Sequence, residues 1–303
     1  MACFSGSLPE HVTTGMSLAS PQRAADAVPE RTPTVDLDAI ARRLAPHAAA
    51  FAAASPFPHV VLDDFLPEDV AAAVAAEFDD PAIAWQPLHH VNERKSVFGD
   101  LEHMGPVTAA TVRALYSPAM RATLERLSGV ADLIGDPELD GAGLHRTDPG
   151  GHLNVHTDAL AHGKRRTWSR QLNLIVFLNR DWEEAYRGDL ELWDATVSRC
   201  EQRIAPLFNR CVVFRTTAVS FHGVPDVLAC PEGRSRKSLA LYYFRDEARV
   251  VPLHPTNYMP RPRDPLARRV LIRADRALLR VYALLKRYTP IDDARVTRLL
   301  RRF

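Results

Sequence analysis

Between residues 152 and 244 the chain keeps to one design: short extended segments punctuated by Gly, Pro and Asn. Residues 152–158 alternate His, Asn, His and Asp with Leu, Val and Thr. Residues 170–178 (RQLNLIVFL) form an apolar run bounded by polar residues, as a buried strand does. Residues 188–193 (GDLELW), 210–215 (RCVVFR) and 236–244 (RKSLALYYF) follow, with 220–223 closing a further short strand. Strands this short and this closely spaced predict an antiparallel sandwich or jelly roll.

Side chains in a strand repeat every two residues, so His156 and Asp158 point to the same face. His222 comes 66 residues later (222 − 156), far enough to return on another strand. Two imidazoles and one carboxylate on one side of an ion leave three octahedral positions open, the facial arrangement of non-haem Fe(II) sites. Catalytic zinc is commonly held by His-Glu-x-x-His on a helix, and no such motif occurs. A bare His-x-Asp is weak in a chain with 12 His. The alternative is a polar strand end whose side chains bond locally. In the last strand Arg236, Ser238, Ala240 and Tyr242 share a face. A guanidinium followed by small side chains suits a dicarboxylate, paired at its far end by the Arg fork. An Arg at a strand start can equally pair with a surface acid.

Together these residues resemble the prolyl-hydroxylase-like branch of the 2-oxoglutarate/Fe(II)-dependent dioxygenases. The resemblance runs from about Pro56 to Phe244. It includes FPHVVLDDFLP from Phe57, GAGLH from Gly141, GGHL from Gly150, LIVFLNRDW from Leu174, GDLELW from Gly188, PLFNR from Pro206 and HGVP from His222. It implies an α+β protein: a double-stranded β-helix (jelly-roll, cupin-like) core, buttressed by N-terminal helices. It also implies His156, Asp158 and His222 as metal ligands and catalytic centre, and Arg236 with Ser238 as the cosubstrate site. Phe177 stands where relatives carry a Tyr that bonds 2-oxoglutarate, which makes Asn173, on the same strand face, a candidate substitute. The implied reaction consumes O2 and 2-oxoglutarate, releases CO2 and succinate and hydroxylates a C–H bond, with Fe(II) as cofactor and ascorbate as a candidate reductant. Halogenating relatives lack the carboxylate ligand, and Asp158 is present here.

The 303 residues suit one large domain with terminal additions. We expect a disordered tail at 1–33, a dioxygenase domain at 34–255 and a basic helical extension at 256–303. Helices are expected at 35–54, 67–78, 106–116 and 118–128, all as scaffold. The four Cys form no Cys-x-x-Cys pair, which fits a reducing cytoplasm. No signal peptide and no apolar run of spanning length is seen. A net charge of +1 gives no case for nucleic acid. Residues 159–170 (ALAHGKRRTWSR) would lie at the pocket mouth, where Arg170, Trp168 and His145 are candidate substrate residues. Such a basic lid would favour an anionic small molecule or amino-acid substrate. A solvated loop is the plain alternative. From residue 261 onward there are 13 Arg/Lys and four Asp, net +9 (13 − 4), with apolar residues at helical spacing from Val270 through Val281, Leu285 and Tyr288. This basic helix could pack on the barrel, or meet an acidic partner or a membrane surface.

Three functions follow for testing. The first is an Fe(II)/2-oxoglutarate hydroxylase. A catalytically silent jelly-roll binding module would be expected to lose a ligand or Arg236. A zinc hydrolase would have no use for Arg236.

Overall fold

The computed structural model describes residues 33–288 apart from Leu253, with side chains of α6 described as far as Leu278. The expected tail at 1–32, residues 289–303 and the side chains of Val281, Leu285 and Tyr288 lie outside the described residues.

Two short helices open the described chain, α1 (Leu37–Leu44) and α2 (Ala48–Ala53), joined by a 3-10 turn at Ala45–His47. The single helix expected at 35–54 is split there because Pro46 cannot donate to the helical ladder. Then come β1 (His59–Leu62), α3 (Glu68–Glu77), a hairpin of β2 (Gln86–His90) and β3 (Glu93–Phe98), α4 (Pro106–Leu115) and α5 (Pro118–Ser128). Helix α5 is delimited as its sequence suggests. The Ser117 hydroxyl accepts from the Met120 amide at its start, and Gly129 closes it at φ 69°. The remaining strands are β4 (Ile134–Gly135), β5 (Gly143–Thr147), β6 (His152–Thr157), β7 (Trp168–Phe177), β8 (Leu190–Trp193), β9 (Cys200–Ile204), β10 (Cys211–Arg215), β11 (His222–Val224), β12 (Arg236–Asp246) and β13 (Asn257–Tyr258). Helix α6 (Leu266–Tyr288) ends the described chain.

All described strand pairings are antiparallel, in the order β1-β10-β7-β12-β5-β3-β6-β11-β8-β9. The sheet curls on itself: Phe177 of β7 packs with Leu190 and Leu192 of β8, and Phe214 of β10 lies 4.7 Å from the His222 ring of β11. This is the jelly-roll half-barrel expected.

Alternation along the strands separates two environments. Leu172, Leu174 and Val176 of β7, with Leu239, Leu241 and Tyr243 of β12, face outward. They meet Val70, Val74, Val112, Leu115, Met120 and Leu124 of α3, α4 and α5 in the main core. The intervening Asn173, Ile175 and Phe177, and Arg236, Ser238, Ala240 and Tyr242, turn into the barrel. The helices thus bury one face of the wall and leave the other free for chemistry. Contacts with the barrel continue past residue 256. Strand β13 pairs with β6, and buried Arg261 bonds Asp226 and Asp264. No helix among the described residues is long and apolar enough to cross a membrane.

Candidate metal centre and cosubstrate pocket

His156 ends β6, Asp158 follows it by two residues, and β11 begins with His222 directly across the ladder from His156. All three are buried, and one ligand atom from each lies within 4.8 Å of the others. The Nε2 atoms of His156 and His222 each stand 3.6 Å from an oxygen of Asp158, one on Oδ1 and the other on Oδ2.

Both imidazoles are oriented by the same device. His156 Nδ1 donates to the Asn154 carbonyl at 2.9 Å, and His222 Nδ1 donates to the Ser220 carbonyl at 3.0 Å. A carbonyl can only accept, so each Nδ1 carries a proton, which in a neutral ring leaves the Nε2 lone pair toward the centre. Burial lowers the His222 pKa to about 4, against the pull of Asp158, which keeps the ring in its ligating neutral form. Local bonding thus fixes the rings but leaves the converging atoms free. Ligand bonds of about 2.0–2.2 Å would draw such donors only slightly closer together. The donor set fits a divalent ion.

Asp158 is itself held. Asn173 Nδ2 donates to its Oδ2 at 2.7 Å, and Arg170 Nη1 lies 3.4 Å from Oδ1. Burial opposes its charge, but Arg170 and the two imidazoles outweigh burial and hold the carboxyl well below its usual range. Asn173 also takes a bond from Thr216 Oγ1 at 3.3 Å. Its amide is therefore engaged by the Asp158 carboxylate and the Thr216 hydroxyl. Arg170 reaches the interior through a bulge. Tyr243 pairs with Leu172 and Phe244 with Arg170, so Gln171 is an extra residue and the ladder shifts. The Arg170 guanidinium lies 3.8 Å over the Tyr242 ring.

Arg236 opens β12 and is 7% exposed. Its Nε donates to the Gly188 carbonyl at 2.8 Å and its guanidinium covers the Phe177 ring at 4.8 Å. It forms no ion pair among the described residues; burial lowers its pKa to about 10, still cationic at neutral pH. Gly188 is fitted to this seat: at φ +88° a Cβ would be strained, and it would sit 3.3 Å from Arg236 Cδ. Ser238 and Phe177 are register partners, as are Ser238 and His145, so the three form a row inside the barrel beside Arg236. Burial and nearby Lys95 push the His145 pKa down to about 3, leaving it neutral.

The structure does not bring Trp168 to this interior. It begins β7 rather than sitting in a lid, and packs on His162, Phe244 and the Arg165 guanidinium. Lys164 and Arg165 are engaged by Glu138, so of the loop's cations Arg170 is the one that reaches the centre. Three neighbours escaped the sequence reasoning. Tyr258 of β13 stacks on His156 with ring centroids 5.4 Å apart. Glu93 and Lys95 of β3 pair at 3.3 Å, and Glu93 feels His156 electrostatically. Asn92 at the tip of the β2–β3 hairpin was the available signal, but the flanking strands are too polar to show an apolar face.

Comparison with known proteins agrees with this geometry. Residues 142–244 match the 2OG-Fe(II) oxygenase superfamily. The chain is 28% identical to the Prolyl 3-hydroxylase OGFOD1 of Mus musculus over 149 residues, 48% of this chain and 25% of that protein. It spans only about a quarter of that relative's length. Among solved structures, a Pseudomonas putida prolyl-4-hydroxylase superposes with a TM-score of 0.50 at 21% identity, covering 67% of this chain and 98% of that one. A Phytophthora capsici prolyl 4-hydroxylase gives 0.51 at 19% identity, covering 72% and 68%. Identities this low speak for the fold. The matched segment, residues 142–244, thus resembles the 2OG-Fe(II) oxygenase superfamily, on a fold shared with prolyl hydroxylases, and it contains the three converging donors.

Proposed function

We propose that this protein is an Fe(II)- and 2-oxoglutarate-dependent dioxygenase that hydroxylates an unactivated C–H bond in a small molecule or amino-acid side chain. The observation that carries the reading is Arg236: a buried guanidinium without an ion-pair partner among the described residues, lining the barrel that holds the triad. A buried charge left unpaired is costly, and an anionic ligand relieves that cost. A zinc hydrolase offers no reason to maintain it, and a silent module offers none to keep it together with all three ligands.

In this reading His156, Asp158 and His222 hold the ion. When bound, Fe(II) with 2-oxoglutarate supplies O2-driven decarboxylation to succinate and CO2 coupled to oxygen insertion at carbon. Arg236 pairs with the distal carboxylate, Ser238 and Ala240 leave room for the carbon chain, and Phe177 forms an apolar wall. Asn173 and Arg170 keep Asp158 ionised and aimed. Arg170, clamped between Asp158 and Tyr242, is a fixed cation beside the reacting centre and favours a substrate with an anionic group. Peptidyl proline is the second reading, motivated by the mouse relative.

Anaerobic addition of Fe(II) and 2-oxoglutarate is expected to give a weak visible charge-transfer band that His156→Ala abolishes. Substrate-dependent succinate release is then measured across anionic small molecules, free amino acids and proline peptides. No band in the intact chain would end the assignment; release with proline peptides alone would select the second reading.

A further inference from the structure

Helix α6 is mounted with its polar side inward. Arg268 reaches the Asn154 side chain on β6, Asp275 takes a bond from Asn92, Arg276 reaches Met259, and Ile272 is the fully buried apolar residue among them. The opposite side carries Leu266, Ala267, Val270, Leu271, Ala274, Ala277 and Leu278, all exposed. At about 100° per residue these seven span an arc of roughly 140°. Of the seven large apolar side chains exposed among the described residues, four are here: Leu266 at 72%, Val270, Leu271 and Leu278. A helix that stabilised only its own domain would be turned the other way.

Charge identifies what covers this face. Arg269 and exposed Arg273 border one edge of the arc. From residue 261 onward the sequence is net +9, so the preceding 260 residues are net −8 (1 − 9). An amphipathic helix with an apolar arc and a cationic border matches an anionic bilayer surface: leucines enter the acyl boundary while guanidiniums meet phosphates. Pairing of this face with its copy would set the two arginine borders against each other. A nucleic-acid backbone would meet leucines where it needs cations.

We propose that α6 docks the protein on anionic membrane surfaces through this outward face. The test is flotation of the full chain with vesicles of phosphatidylcholine alone or phosphatidylcholine with phosphatidylglycerol. Recovery with the anionic vesicles should be at least about tenfold higher, and it should fall with added salt. Leu271→Glu and, independently, Val270→Glu should each lower it about tenfold with melting temperature unchanged, because both positions are exposed. Arg273→Gln should weaken anionic binding severalfold. Failure to float with anionic vesicles would overturn the proposal. So would equal flotation with both vesicles, or a solution dimer that Leu271→Glu dissociates, which would make a second copy the occupant. Binding to duplex DNA that survives Leu271→Glu, with no flotation, would also overturn it.

Discussion

Two arginines enter the same barrel and meet opposite treatment. Arg170 is ion-paired within the chain, fixed between the Asp158 carboxylate and the Tyr242 ring. Arg236 is buried to the same end yet receives only a backbone carbonyl and the face of Phe177. The first guanidinium balances the charge of Asp158. The second has no ion-pair partner among the described residues and feels Asp189 only at longer range, which fits the proposed anionic ligand. In the proposed reading the contrast separates an arginine that holds Asp158 and faces substrate from one that binds the cosubstrate, although both look alike in sequence.

The largest test removes the charge that Arg170 balances. Asp158→Ala should lower turnover by at least about 10³-fold and abolish the Fe(II)/2-oxoglutarate band, while leaving Arg170 as a second unpaired cation. Arg236→Gln should next raise the dissociation constant for 2-oxoglutarate about 100-fold by isothermal titration, with metal affinity retained. Arg236→Lys should recover only part, because the ammonium lacks the fork. Arg170→Gln should do the converse. Metal affinity should fall about tenfold and KM for an anionic substrate should rise about tenfold, with 2-oxoglutarate affinity nearly unchanged. If both arginines shift the same constant, the distinction fails. Gly188→Ala should weaken 2-oxoglutarate binding severalfold by crowding the Arg236 stem.

A smaller effect concerns pH. His222 and His145 have folded pKa values lowered to about 4 and about 3 by burial, from the usual 6.5. The unfolded chain therefore takes up protons first as pH falls. Stability from keeping these rings neutral is full above about pH 6.5 and is lost as pH drops toward 4. The melting temperature of the metal-free chain should fall steadily over that window, and His145→Gln should flatten part of the slope.

Sequence and structure agree where a period or a ligand chemistry speaks for itself. The run at residues 170–178 announced a buried strand and residues 236–244 announced two faces, and the outer helix-backed core and the inner polar face follow from that alternation. The converging triad was legible because two of its members share one strand face. What stayed hidden depends on register. Trp168 and Arg170 are two residues apart in a run that looks like a loop, and no local pattern shows that Gln171 bulges to send Arg170 inward. The donor role of Asn173 required knowing that β7 faces Asp158 across the barrel. Tyr258 lies in a two-residue strand, too short to leave a period.

That short strand has mechanical reach. Its backbone is laddered to His156, its aromatic ring lies on the same imidazole, and the chain then runs through the Arg261 anchor to Leu266, where α6 begins. A displacement of the helix would reach the His156 imidazole after one brief stretch of backbone.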